Sequence, residues 1–275
     1  MPFGYQLLFT DVDNTLLPAG GHISDRDLAF IRSLLKEGVR VVVASGRCRD
    51  LVWPVIRALG LDRMHDSLTI SQNGGHIFRN DTGQTVSLSP TDPELIARLF
   101  VHARELGIRS RSYSENLVYF NRTDPAIEDF RRRYQCHCRL LADPASEITE
   151  PPVKFMVIDP DPERIRRFYL DTLPLTEGRL RADFSSPTTL EYTECEVCKG
   201  AGLKRVCEYY NISPAKAVAI GDSENDMTMI REAGLGIAMR DAFSPLKSKA
   251  DRISRLSCAE GGFSDTLRDI WPQAG

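Results

Sequence analysis

The chain has 275 residues, 42% of them hydrophobic and 27% charged, with a formal net charge of -3. That length points to one large or two medium domains with their own cores, and the balanced charge argues against a general nucleic-acid-binding surface. No apolar run approaches the ~20 residues that span a bilayer, and Met1-Pro2-Phe3-Gly4 lacks the basic start and apolar stretch of a secretory signal, so the expectation is a cytoplasmic protein that acts on a small molecule without membrane or nucleic acid.

In chain order, Tyr5 to Phe9 is an apolar run with the length of a buried strand, and it leads directly into Asp11-Val12-Asp13-Asn14-Thr15. Ser24 to Glu37 carries Leu28, Ile31, Leu34 and Leu35 at helical spacing, with Ser24 as cap and Gly38 as stop. Val39 to Ala44 is a β-branched strand that runs into Ser45-Gly46-Arg47, and Arg49 to Leu59 is a second helix. Leu68 to Ser71 is a strand ahead of Gln72-Asn73-Gly74-Gly75. This alternation implies a parallel sheet with right-handed crossovers, whose strand ends share one crevice.

From about Ile77 the pattern changes to short strands at Gln84 to Leu88, Asn116 to Phe120 and Val153 to Ile158. Helices are expected at Asp92 to Leu106, Pro125 to Tyr134 and Asp161 to Leu173, with proline-bearing breaks between them. This reads as an inserted α+β domain. The parallel pattern resumes with a helix from Lys199 to Tyr210 and a strand at Ala217 to Ile220, which enters Gly221-Asp222-Ser223-Glu224-Asn225-Asp226. A helix from Glu224 to Ala233, capped by Asp222 or Ser223, is expected next.

Cys48, Cys136, Cys138, Cys195, Cys198, Cys207 and Cys258 make an odd count in a chain too large to need disulfide staples, which favours reduced thiols. A zinc cluster from Cys136, Cys138, Cys195 and Cys198 is the weaker alternative, because one pair has a single intervening residue and the other has two.

The strand-end residues supply the parts that phosphoryl transfer requires, namely an in-line nucleophile and cationic compensation of phosphate oxygens. Asp11 has the chemistry of a nucleophile that forms an acyl phosphate, and Asp13 that of a general acid and base. Ser45 offers a hydroxyl, Gly46 a close backbone approach and Lys199 a point charge for phosphate oxygens. Asp222 and Asp226 bring carboxylates to a hard cation such as Mg²⁺.

Taken together, Asp11 to Leu17, Ser45-Gly46-Arg47, Lys199-Gly200 and Gly221 to Met227 resemble the four ordered motifs of the haloacid dehalogenase (HAD) superfamily. More narrowly they resemble its Cof-like sugar-phosphatase branch. Asn73-Gly74-Gly75 is similar to that branch's turn before the cap, and Ala259 to Phe263 to its Glu-Gly turn near the end. The resemblance implies an α/β fold, with a Rossmann-like parallel-sheet core at roughly 1–78 and 192–275 and an inserted α+β cap at roughly 79–191 that selects substrate. It also implies that Mg²⁺ is held by Asp11, Asp13 through its carbonyl, and Asp222, with Asn225 and Asp226 in support. Ser45, Gly46 and Lys199 would bind the phosphoryl group, and Arg47 and Asn73 the substrate.

Cys195-Glu196-Val197-Cys198 and Asn14 depart from the branch's pattern without removing a reacting group. The implied activity is Mg²⁺-dependent hydrolysis of small phosphomonoesters, sugar phosphates foremost, through an aspartyl phosphate on Asp11. Alternatives are a dedicated mannosyl-3-phosphoglycerate or sucrose-phosphate phosphatase, a phosphomannomutase-like transferase, and a receiver-like signalling protein. Arg104, Arg109, Arg111 and Arg122 are candidates for substrate selection or for the surface alone, and oligomeric state is left open.

Overall fold

The computed structural model describes residues 4–134 and 137–272. The described residues form two compact units, one comprising Met1–Arg47, Val52–Val86 and Cys198–Gly275, the other Cys48–Leu51 and Ser87–Val197.

The first unit is built on a sheet that starts with β1 (Leu7–Thr10), helix α1 (Asp25–Lys36), β2 (Arg40–Ala44), α2 (Arg49–Leu59), β3 (Leu68–Ser71), β4 (His76–Arg79) and β5 (Thr85–Leu88). In the second unit lie α3 (Pro93–Glu105), β6 (Arg109–Tyr113), β7 (Val118–Phe120), α4 (Pro125–Tyr134), β8 (Cys138–Leu140), α5 (Pro144–Glu147), β9 (Lys154–Ile158), α6 (Pro162–Thr176), β10 (Leu180–Ser186) and β11 (Thr189–Glu194). The chain then returns to the first sheet with α7 (Lys199–Tyr209), β12 (Ala217–Gly221), α8 (Met227–Glu232), β13 (Leu235–Ala238), α9 (Ser244–Lys247), β14 (Arg252–Ile253) and α10 (Gly262–Arg268).

The first sheet runs β14-β13-β12-β1-β2-β3-β4-β5. Its strands from β14 to β3 pair in parallel, and β4 turns back antiparallel to β3. β1 lies between β2 and β12, with Phe9 opposite both Val42 and Ala219. These strands are buried on both faces, which is why they read as continuous apolar runs rather than alternating ones. Each fully buried side chain such as Phe9 or Val42 contributes roughly 2 kcal/mol by removal from water. The cap of α1 forms as the sequence predicts, with Ser24 Oγ accepting the Asp27 N–H at 3.1 Å. The buried Asp27 in turn accepts the Ser264 N–H at 3.1 Å and ties the start of α1 to α10.

In the second unit the sheet order is β10-β11-β9-β6-β7-β8. Leu95, Ile96, Leu99 and Phe100 of α3 and Ile165 and Phe168 of α6 pack with Phe155, Val157, Leu190 and Tyr192 of the strands.

The structure corrects several element assignments. β4, β6, β8, β10, β11, β13 and β14 lie where the sequence suggested no strand. The helix expected over Glu224 to Ala233 is a 3₁₀ turn at Glu224–Asp226 followed by the shorter α8. Ser223 is the N-cap of that turn, as expected, in a reciprocal capping box with Asp226, whose Oδ2 accepts the N–H groups of Asp222 and Ser223, each at 3.0 Å. Among the described residues, no helix is long and apolar enough to cross a membrane.

Candidate active site

Three neighbouring parallel strands, β12, β1 and β2, are followed directly by Asp222, Asp11 and Ser45 respectively. Parallel pairing without a register break therefore delivers residues distant in sequence to one edge, where open α/β sheets hold ligands. Asp11 is continued into the sheet by its N–H, which donates to Ile220 O at 3.0 Å. The turn that follows is closed by the N–H groups of Leu16 and Leu17 on Val12 O, with Asn14 at φ 58°. Asparagine tolerates that left-handed conformation, which accounts for its presence at this position.

Lys199, the first residue of α7, has no exposed surface. Its Nζ donates to Asp11 Oδ1 and Asp226 Oδ1, each at 2.5 Å. Carboxylate oxygens of Asp11, Asp222 and Asp226 lie within 4.8 Å of one another. Burial first, then repulsion from Asp226, raise the Asp11 carboxyl well above the usual range, against the pull of Lys199. Burial and Asp226 likewise push Asp222 up to about 6. Burial alone would lower the Lys199 ammonium, but Asp11 and Asp226 outweigh it and hold the group above its ordinary range. Three acids thus share one lysine, and the site has surplus negative charge in a buried place.

The donor set fits a hard divalent cation. Both oxygens of Asp226 are engaged, Oδ1 by Lys199 and Oδ2 by the Asp222 and Ser223 N–H groups, so it supports rather than faces a cation. Thr15 Oγ1 and Ser223 Oγ donate to Asp222 Oδ1 at 3.2 and 3.3 Å. Asp11 Oδ2 and Asp222 Oδ2 have no hydrogen-bond partner among the described residues, and they are the oxygens best suited to a cation.

Tight backbone packing holds the site. A Cβ at Gly221 would meet Asp226 Cγ at 2.5 Å, and one at Gly74 would meet Cys198 O at 2.3 Å. Gly74 also has φ +104°, so it seats the turn after β3 against the start of α7 in a conformation other residues resist. Gly200 N–H donates to Thr228 Oγ1 at 3.0 Å and so fixes α7 to α8.

Ser45 is buried, and its Oγ accepts the Arg47 N–H at 3.2 Å. A Cβ at Gly46 would come within 2.9 Å of Asn73 Oδ1, so these two residues do approach closely. Asn73 N–H donates to Ser45 O at 3.0 Å, and Asn73 Oδ1 accepts from Asn225 Nδ2 at 3.0 Å, linking the turns after β2, β3 and β12. Arg47 reaches across to Asp13, with Nε at 3.0 Å from Oδ2 and Nη2 at 2.6 Å from Oδ1. All ten candidate residues lie in the first unit. Thr15 and Thr228 were not singled out by sequence reasoning. Their signal is weak, since a threonine in a turn or helix has many ordinary uses.

A model of the haloacid dehalogenase-like hydrolases matches residues 8–267. The chain belongs to that family. A HAD-like hydrolase from Bacteroides thetaiotaomicron superposes with a TM-score of 0.86 at 26% identity, over 97% of this chain and 99% of that one. The 5-amino-6-(5-phospho-D-ribitylamino)uracil phosphatase YcsE of Bacillus subtilis is 28% identical over 93% of this chain and 92% of its own length. Several further curated relatives of this HAD-like hydrolase carry the name phosphatase. The chloroplastic endoribonuclease YBEY of Arabidopsis thaliana is 23% identical over 96% of this chain, and the HAD-like chain spans 46% of that protein's length.

Among the described residues, no cysteine belongs to this cluster. Cys138, Cys195 and Cys198 carry free thiols, and Cys136 lies outside the described residues. Among the described residues, the one group of acids, histidines and cysteines close enough to hold a metal is Asp11, Asp222 and Asp226. Cys198 instead caps α7, its Sγ accepting the Ala201 N–H at 3.4 Å. Of the arginines considered for substrate selection, Arg104 donates to the carbonyls of Leu141 and Ala142, and Arg109 and Arg122 pair with Asp124. Arg111 lies over the rings of Tyr113 and Phe130, with Nε donating to Met156 Sδ.

Proposed function

We propose that this HAD-like hydrolase is a Mg²⁺-dependent phosphatase of small phosphomonoesters, sugar phosphates foremost, working through an aspartyl phosphate on Asp11. The observation that carries the reading is the convergence of Asp11, Asp222 and Asp226 about the buried Lys199. Asp11, Asp222 and the Asp13 carbonyl would hold the cation, which supplies charge compensation for phosphoryl oxygens and the nucleophile when bound.

In the first half-reaction an Asp11 oxygen forms a bond to phosphorus as the ester P–O bond breaks, and Asp13 gives its proton to the departing alkoxide. In the second, Asp13 takes a proton from water as that oxygen bonds to phosphorus and the Asp11–phosphorus bond breaks. Asp11 and inorganic phosphate are released, and Asp13 is again protonated. Lys199 would orient Asp11 and meet phosphoryl oxygens with positive charge, which its contact with Asp11 supports, and Ser45 would donate its hydroxyl to them. Ser45, Gly46 and Asn73 would shape the phosphoryl pocket. The parallel-sheet region, roughly 1–78 and 192–275, is the catalytic core in this reading, and 79–191 is a cap that chooses the leaving group. The relatives named for small phosphorylated metabolites support that substrate class.

The test is phosphate release from a panel of sugar phosphates, nucleotides and pyridoxal phosphate, with and without Mg²⁺, against Asp11→Asn. Metal-dependent release that the variant lacks is the expected result. Transfer between positions without net release would replace the phosphatase with a mutase, and a long-lived phosphoprotein would replace it with a receiver.

A further inference from the structure

We infer that Arg47 is a positioning residue for Asp13, not a substrate contact. The inference rests on the reading above, in which Asp13 exchanges the proton of the leaving group. Asp13 stands at the start of a tight turn with 56% of its side chain exposed, so nothing in its burial fixes which way the carboxyl points. The constraint comes from Arg47. Nε and Nη2 engage the two carboxylate oxygens separately, at 3.0 and 2.6 Å, and a planar fork of this kind sets the plane of the carboxyl as well as its distance.

The fork is itself anchored. The Arg47 N–H donates to Ser45 Oγ at 3.2 Å, and Arg47 O accepts the Gln72 N–H at 2.9 Å. Gln72 and Asn73 both have positive φ, 51° and 59°, so the turn that holds Arg47 has a demanding backbone conformation. The guanidinium therefore extends from a fixed backbone at the end of β2 to a carboxyl with little support at the end of β1. Arg47 also takes part in further contacts, so the fork is one of several restraints on it.

A residue that acts through the general acid has a signature that a phosphate or sugar contact lacks: its loss matters in proportion to how badly the leaving group needs a proton. The experiment compares Arg47→Ala with wild type on p-nitrophenyl phosphate, whose phenolate departs readily, and on the alkyl phosphate turned over fastest in the panel above. We expect kcat to fall by about 100-fold on the alkyl ester and by less than about threefold on the aryl ester, with KM little changed on either. Adding Arg47→Ala to Asp13→Asn should cost nothing further, because the group it positions is already disabled. Arg47→Lys, which keeps the charge but not the fork, should show the same leaving-group pattern more weakly, and it carries the test if Arg47→Ala does not fold. Equal loss on both esters, a rise in KM with kcat retained, or a further loss in the double variant would overturn the inference. Retained release by Asp11→Asn would overturn the phosphatase reading, and the Arg47 inference with it, before any Arg47 variant is compared.

Discussion

Lys199 is the residue on which the site's electrostatics turn, because it is buried without exposed surface and neutralises part of the charge of three acids. Replacing it with methionine leaves Asp11 and Asp226 facing each other without a cation, and a buried charge stripped of its partner typically costs ~3–5 kcal/mol. Lys199→Met should therefore unfold at markedly lower denaturant than wild type in EDTA; an unchanged midpoint would contradict the assigned burial. The opposite holds for Asp11. Its carboxyl is raised by burial and by Asp226, so ionising it costs more in the folded chain than in the unfolded one.

Asp222 behaves alike, with its titration pushed up to about 6. For acids whose folded pKa lies above the unfolded value, the penalty is absent at low pH and sets in as pH rises through the folded value. A cation offsets that penalty only where the acids are ionised. Mg²⁺ should thus raise Tm more at about pH 8 than at about pH 5, a comparison made by thermal melts at both values. A shift that is equal or larger at the acid end would remove the acids from cation binding. In EDTA at neutral pH, Asp11→Asn should melt no lower than wild type even though turnover is lost.

At the scale of elements, glycine contacts decide where the site-bearing segments sit. Gly74→Ala places a Cβ against Cys198 O and forces a side chain into φ +104°, so the turn after β3 or the start of α7 must shift. The expected result is a loss of at least ~2 kcal/mol of stability and weaker Mg²⁺ binding by calorimetry, since Lys199 opens α7.

The elements near the site were legible in the sequence because β1, β2, β3 and β12 are buried on both faces and bounded by polar turns. The resemblance rested on those same turns. β6 was missed because its pattern is inverted. Ser110 and Ser112 are its fully buried residues, whereas Arg109 and Arg111 are partly exposed, so the strand reads as a polar loop. In β10 and β11 charged residues alternate with few apolar ones, which hides an antiparallel hairpin, and β13 is only Leu-Gly-Ile-Ala. The Arg47 fork was not legible either, since it depends on two loops meeting, which no spacing within one segment reveals.

For the whole molecule, the two units have separate cores. The cluster from Leu95 to Tyr192 contains no residue of the cluster built on β1, β2 and β12. Residues 87–197 contain that whole cluster, while Cys48 of the same unit packs with Tyr113, Val118 and Phe120. A fragment of residues 87–197 should therefore fold with a cooperative thermal transition by circular dichroism at reduced stability, and a broad, non-cooperative melt would show that the Leu95 to Tyr192 core is insufficient.

The position of β1 in the first sheet has a further bearing on how the protein comes into being. One neighbour of β1 is supplied by residues 40–44 and the other by residues 217–221, so one edge of this central strand stays unpaired until about four-fifths of the chain exists. At ribosomal speeds of ~5–20 residues per second that interval is roughly 10–40 s. Throughout it the nascent chain carries the aspartate of its future chemistry on a half-finished sheet, without the lysine and the second acid turn. Such long-range pairing slows folding, and it makes β1 the natural place for a chaperone to bind or for misassembly to begin.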